Sequence, residues 1–168
     1  MPFLHGQVVL VDTNVIIEAH RTGCWPQLAG FFRIQTVEKI VEETQTGYQN
    51  RRPEHLIDEA ALRSSLDLVH DISDEQRARF NLAYGHPSLD PGERDLLVYA
   101  DSVAADAWLL NSPDMALVRF AHGRQWLDRL VSLEAMASHL RARLKYDLAQ
   151  NYCERWLSER KTRLILGA

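Results

Sequence analysis

Residues 7–20, QVVLVDTNVIIEAH, constrain the fold of this chain more than any other stretch. Val8 to Val11 form an unbroken apolar run of strand-forming residues, the pattern of a strand buried on both faces of a parallel sheet. A helical pattern over 14–20 follows at once, so Asp12 falls at the junction between strand and helix. In open α/β sheets this carboxyl edge is where ligands and metals bind, at the crevice where the strand order reverses. The simpler role for Asp12, Thr13 or Asn14 is to cap the helix, because all three side chains satisfy free N–H groups.

The rest of the chain repeats this alternation. A short strand is expected around Phe31, Phe32 and Ile34, then a helix capped by Thr36, with Val37, Ile40, Val41 and Thr44 on one face and Gly47 as its stop. A polar connection over 48–53 leads into a helix over 54–63. Residues 66–72 change to a period of two, which predicts a third strand near a sheet edge. Ser73 and Gln76 form a capping box for a helix over 74–84. Pro91 opens another helix, whose face carries Leu96, Leu97, Ala100, Val103 and Ala104. Residues 107–110 make a fourth strand, 115–121 a helix and 130–133 a fifth strand.

Strands alternating with helices imply βαβ units, a parallel sheet and right-handed crossovers. The expected fold is α/β, a three-layer α/β/α sandwich around a mostly parallel sheet of about five strands. Apolar residues recurring from Leu133 to Trp156 predict one continuous or once-broken helical region. The expected organisation is a domain over 1–137 and a helical extension over 138–168, packed on the same domain or on a partner subunit.

Composition narrows the function. With 46% hydrophobic and 25% charged residues in 168, the chain suits one globular domain. A net charge of −4 gives no general attraction to nucleic acid, so any such contact needs a local basic face. Cys24 and Cys153 lack zinc-site spacing, and no run approaches a membrane span, so a soluble, cytoplasmic chain is expected. The histidines show no triad-like arrangement. The tryptophans accompany other apolar residues and are read as core.

The acids carry the chemistry. Asp12 ends strand one, Glu42 and Glu43 lie in the helix after strand two, Asp95 opens the helix after the PG turn, and Asp114 follows strand four. Each has a local alternative: solvent-facing for the glutamates, dipole-favouring for Asp95, helix cap for Asp114. Together they bring several carboxylates toward one crevice, where like charges raise one another's pKa unless a cation compensates. Oxygen ligands without a Cys or His cluster favour Mg²⁺ or Mn²⁺, which support phosphodiester hydrolysis. An aspartyl-nucleophile phosphatase would want an acid where Asn14 stands. A nucleotide-binding turn would want glycines that DTNV lacks.

These motifs resemble the PIN domains, a family that includes nuclease toxins of bacterial toxin–antitoxin pairs. VVLVDTNVII resembles the opening strand and first aspartate, and IVEETQTG the helix carrying the second acid, with Glu43 favoured over Glu42 by the glycine spacing. PGERDLLVYA is similar to the third motif, matched on Asp95 rather than Glu93. WLLNSPD is similar to the fourth, with Ser112 and Asp114. The resemblance covers roughly residues 7–137. It implies a Mg²⁺- or Mn²⁺-dependent endoribonuclease with Asp12, Glu43, Asp95 and Asp114 as metal ligands and catalytic acids, and Asn14 and Ser112 orienting them. It also implies an RNA substrate and, in the toxin case, an antitoxin partner; a homodimer is the alternative in which the C-terminal region packs on a partner subunit. Arg51, Arg52, Arg119, Arg124 and Arg129 are candidate backbone contacts. The alternative is a non-catalytic PIN-like domain that binds RNA or protein.

Overall fold

A computed structural model of the chain describes residues 2–46, 56–103 and 107–168. The apolar run becomes β1 (Val8–Val11), buried from Val9 onward as a central parallel strand must be. β2 (Arg33–Val37) pairs with it on one side, and β3 (Leu68–His70) follows β2 at the edge. β4 (Leu109–Asn111) pairs with the other side of β1. All pairings are parallel, in the order β3-β2-β1-β4. The order reverses at β1, so the crevice between the carboxyl ends of β1 and β4 is the switch point of the sheet. With right-handed crossovers the connections on either side of the reversal lie on opposite faces, which is compatible with three layers.

Among the described residues the sheet has four strands, not about five. Leu130 makes only an isolated parallel bridge to Leu110, with Val131 N donating to Leu110 O at 3.0 Å. Ser132 then accepts from Ala135 N at 3.0 Å and caps α8 (Leu133–His139), so the chain turns helical before a second rung can form.

Local chemistry sets the helices. α1 (Thr13–Thr22) ends at Gly23, whose φ of 81° suits a left-handed cap. α2 (Trp25–Phe31) takes Phe31 out of the expected strand, and α3 (Glu38–Gln45) follows β2 directly. Thr36 does not cap α3. It lies fully buried in β2 and donates to Val11 O at 2.9 Å, the nearer acceptor for a hydroxyl between two strands. The expectations for Gly47, for 48–53 and for residues 54 and 55 of the next helix lie outside the described residues, and residues 56–58, expected to be helical, are not, because Asp58 caps the helix there. The described helix there, α4 (Glu59–Ser65), is capped by Asp58, which accepts from Ala61 N at 2.8 Å. α5 (Asp74–Tyr84) begins with the expected box: Gln76 N donates to Ser73 Oγ at 3.1 Å and Ser73 N to Gln76 Oε1 at 2.8 Å. α6 (Pro91–Ser102) buries Leu96, Leu97 and Ala100 and packs on α3, β1 and β2. α7 (Met115–Gly123) leads away from β4.

The helical region after Leu133 is interrupted between His139 and α9 (Glu154–Ile165). Between short local turns, the intervening segment is tied to α1. Lys145 N donates to Thr22 O at 2.9 Å, Arg21 Nη2 to Asp147 O at 2.7 Å, and Ala149 N to Glu18 Oε1 at 3.2 Å. α9 packs on α7 and α8, buries Leu157, and donates from Lys161 Nζ to Leu130 O at 2.8 Å. Among the described residues no helix is long and apolar enough to cross a membrane.

Candidate functional site

The switch point is built by the ends of β1 and β4. Asp12 is 2% exposed and caps α1: Thr13 N donates to its Oδ1 at 2.6 Å, and Ser112 Oγ to its Oδ2 at 3.2 Å. Ser112 also accepts from Asp114 N at 3.2 Å, and Asp114 caps α7 by accepting from Ala116 N at 2.6 Å. One hydroxyl thus ties the two aspartates together. Both act as caps and both sit at the switch point, so the local role and the site role coincide.

The third contribution comes from α3. Glu43 accepts from Thr13 Oγ1 at 2.6 Å and from Gly92 N at 3.0 Å, which clamps it between the start of α1 and the start of α6. Glu42 is exposed and faces Lys39 Nζ at 3.2 Å. Glu43 is therefore the member of the pair turned toward Asp12. A Cβ on Gly92 would stand 2.8 Å from Glu43 Cδ and closer still to Oε2, so the clamp requires glycine for close approach.

α6 offers two acids, Glu93 and Asp95. Two residues apart on a helix, they point about 200° apart around its axis, so only one can face the crevice. Glu93 is 5% exposed. Burial, followed by the charges of Asp114 and Asp12, pushes its pKa from an ordinary 4.5 up to about 8; the Asp90 N–H donating to Oε2 at 3.3 Å opposes the shift, and the Asp90 charge adds to it. Burial likewise pushes Asp12 from 3.8 up to about 7, against the hydrogen bonds from Thr13 and Ser112 and with the help of the Glu43 and Asp114 charges.

Asp95 lies elsewhere. It is 1% exposed and held bidentately by Arg77 of α5, Nε to Oδ1 at 2.9 Å and Nη2 to Oδ2 at 2.8 Å, with Arg94 Nε at 3.4 Å. The electrostatic neighbourhood thus joins Asp12, Glu43, Glu93 and Asp114, while Asp95 belongs to an arginine pair.

Asn14 is exposed on the first turn of α1 and makes no side-chain hydrogen bond to these acids among the described residues. Its neighbour Thr13 holds Glu43 instead. Sequence reasoning also passed over Gly92 and Tyr152. The PGE triplet was the available signal for Gly92 and Glu93. Tyr152 had none: it belongs to the C-terminal segment, where burial, then the charges of Glu18 and Asp12, raise its pKa. Of the candidate arginines, Arg124 pairs with Asp101 at 2.9 Å and Arg129 donates to Trp108 O at 3.0 Å. Arg51 and Arg52 lie outside the described residues.

The donor set suits a hard divalent cation. Asp12, Glu93 and Asp114 form no ion pair with Lys or Arg among the described residues. Their carboxylates are all-oxygen donors, and the raised proton affinity of Asp12 and Glu93 marks a deficit of positive charge that Mg²⁺ or Mn²⁺ answers. Among the described residues no three His, Cys, Asp or Glu side chains stand as a ready-made ligand group. Asp12 and Glu43 are held by the hydrogen bonds of Thr13, Ser112 and Gly92, which ligation would exchange. No family model matches the chain, and no curated protein matches it as a relative.

Proposed function

We propose that this chain is a PIN-like, Mg²⁺- or Mn²⁺-dependent endoribonuclease built as a three-layer α/β/α sandwich. The observation that carries the reading is that Asp12, Glu43 and Asp114 are linked through Thr13 and Ser112 beside the switch point of a parallel sheet, with buried Glu93 feeling the charges of Asp12 and Asp114. These four carboxylates would hold the ion. When bound, the ion would neutralise the acids, acidify a water and stabilise the charge developing on a phosphodiester. Ser112 orients Asp12 and Asp114, and Thr13 with Gly92 fixes Glu43, so the chain presents its acids from anchored positions. Asp95, expected from the motif as the third ligand, would serve by fastening α6 to α5 through Arg77.

The test is cleavage of a mixed RNA pool with Mg²⁺ or Mn²⁺, with EDTA, and with the Asp12→Asn variant. Loss of cleavage in the last two is expected, and activity indifferent to both would end the proposal. The second reading is a non-catalytic domain that binds RNA or protein through the same fold, favoured by the lack of a ready-made ligand group among the described residues. It predicts no metal-dependent cleavage. In the toxin case a partner protein would cover the acidic crevice, and a small open reading frame beside the gene would be its source. Size measurement in solution tests the homodimer.

A further inference from the structure

A chain with a net charge of −4 needs a local basic face to hold a polyanion, and such a face lies between α7 and α9. A groove of about 340 Å³ is lined by Met115 and Arg119 from α7, by Arg160, Arg163 and Leu164 from α9, and by Ala168. Met115 and Arg119 are four residues apart, and Arg160 has Arg163 and Leu164 at three and four, so each helix presents one face to the groove. Arg119 and Arg163 are exposed, and the Arg160 guanidinium stands 5.5 Å over the ring of Trp156.

None of these three arginines pairs with a carboxylate among the described residues, whereas Arg63, Arg77, Arg124 and Arg155 all do. Three uncompensated guanidinium groups on one groove repel one another, and a ligand with several anionic groups in a row relieves that repulsion. The groove also has a direction. Met115, which lines it, immediately follows Asp114 in the chain, and Arg119 lies about 6 Å further along the α7 axis.

We infer that the groove between α7 and α9 binds the phosphodiester backbone of single-stranded RNA through Arg119, Arg160 and Arg163 and leads it to the acidic site. The inference rests on the ribonuclease reading and adds to it the path of the substrate. RNA is favoured over an acidic protein partner because the α7 wall of the groove begins at the residue after Asp114, an acid of the site proposed for phosphodiesters.

The test measures binding of a labelled single-stranded RNA to the full chain carrying Asp12→Asn, across a salt series, alongside cleavage by the wild type. Each lost backbone contact should lower the salt slope by about 0.7, so replacing all three arginines with Gln should lower it by about 2. Between 50 and 200 mM salt the unsubstituted groove should then lose about 20-fold more affinity than the triple variant. Replacement of the same three by Lys should keep most of the slope, and Arg79→Gln with Arg155→Gln should keep all of it. If the triple Gln variant, folded by circular dichroism, keeps the original slope and affinity while the wild type cleaves RNA, the groove is not the path and the ribonuclease reading survives. A wild type that neither binds nor cleaves RNA overturns both. Binding of a polyglutamate peptide through these arginines without binding of RNA also overturns the inference.

Discussion

Glu93→Gln should make the protein more stable, and increasingly so as the pH rises. Glu93 is 5% exposed, and its pKa is pushed from 4.5 to about 8 by burial and by Asp114, Asp12 and Asp90, opposed by the Asp90 N–H. Between those two values the folded protein holds a proton that the unfolded chain has released, so stability falls with rising pH at up to about 1.4 kcal/mol per unit. Gln resembles the protonated acid, can still accept from Asp90 N, and cannot ionise. The stabilisation in EDTA should therefore be a few tenths of a kcal/mol near pH 5 and about 3 kcal/mol near pH 8, discounted for hydration of the crevice. For a chain of this size that is a rise in Tm of about 6–12 °C at pH 8. Urea and thermal unfolding at pH 5, 6.5 and 8 measure it. The same series with millimolar Mg²⁺ or Mn²⁺ should stabilise the wild type most at pH 8, and Glu93→Gln much less. A variant destabilised at pH 8, or shifted equally at every pH, would refute the placement of Glu93 among the buried acids.

Other substitutions separate anchoring from chemistry. In Gly92→Ala the new methyl displaces the Glu43 carboxylate, but the loss of about 1 kcal/mol in hydrogen bonding is offset by the better helix propensity of Ala. Stability should change by less than about 1 kcal/mol while RNA cleavage falls about 100-fold, and intact cleavage would remove Glu43 from the site. Arg77→Gln strands the buried Asp95 with only Arg94 beside it and should cost about 3 kcal/mol in urea unfolding. A gain in cation affinity in that variant would instead place Asp95 at the metal. Ser112→Ala removes the hydroxyl that stabilises ionised Asp12, so the Asp12 pKa should rise further above about 7, read by NMR titration of the carboxyl carbon, and the alkaline limb of stability should steepen.

Particular residues show how much of this was legible in the sequence. The run Val8–Val11 announced a doubly buried strand because its composition leaves no polar face, and Asp12 followed as the residue at its carboxyl end. The capping box at Ser73 and Gln76, the Pro91 start and the edge position of β3 were likewise written in local pattern. The fifth strand failed because Ser132 converts the chain to helix within two residues of the bridge at Leu130, a competition that apolar composition does not display. The break after His139 was equally hidden, since the bonds that replace the helix run to Glu18, Arg21 and Thr22 far away in the chain.

The sequence by itself determined the α/β class and delivered acids to the ends of β1 and β4 and to helices α3 and α6, because strand and helix periods are local properties of side-chain type. Only the tertiary structure decided which acids share the crevice. Glu93 and Asp95 are both acidic, both buried and two residues apart on α6, and their fates diverge because α5 brings Arg77 to one face of that helix while Asp12 and Asp114 meet the other. A carboxylate's chemistry is set by the charges and donors within a few ångströms, and those come from elements that only folding brings together.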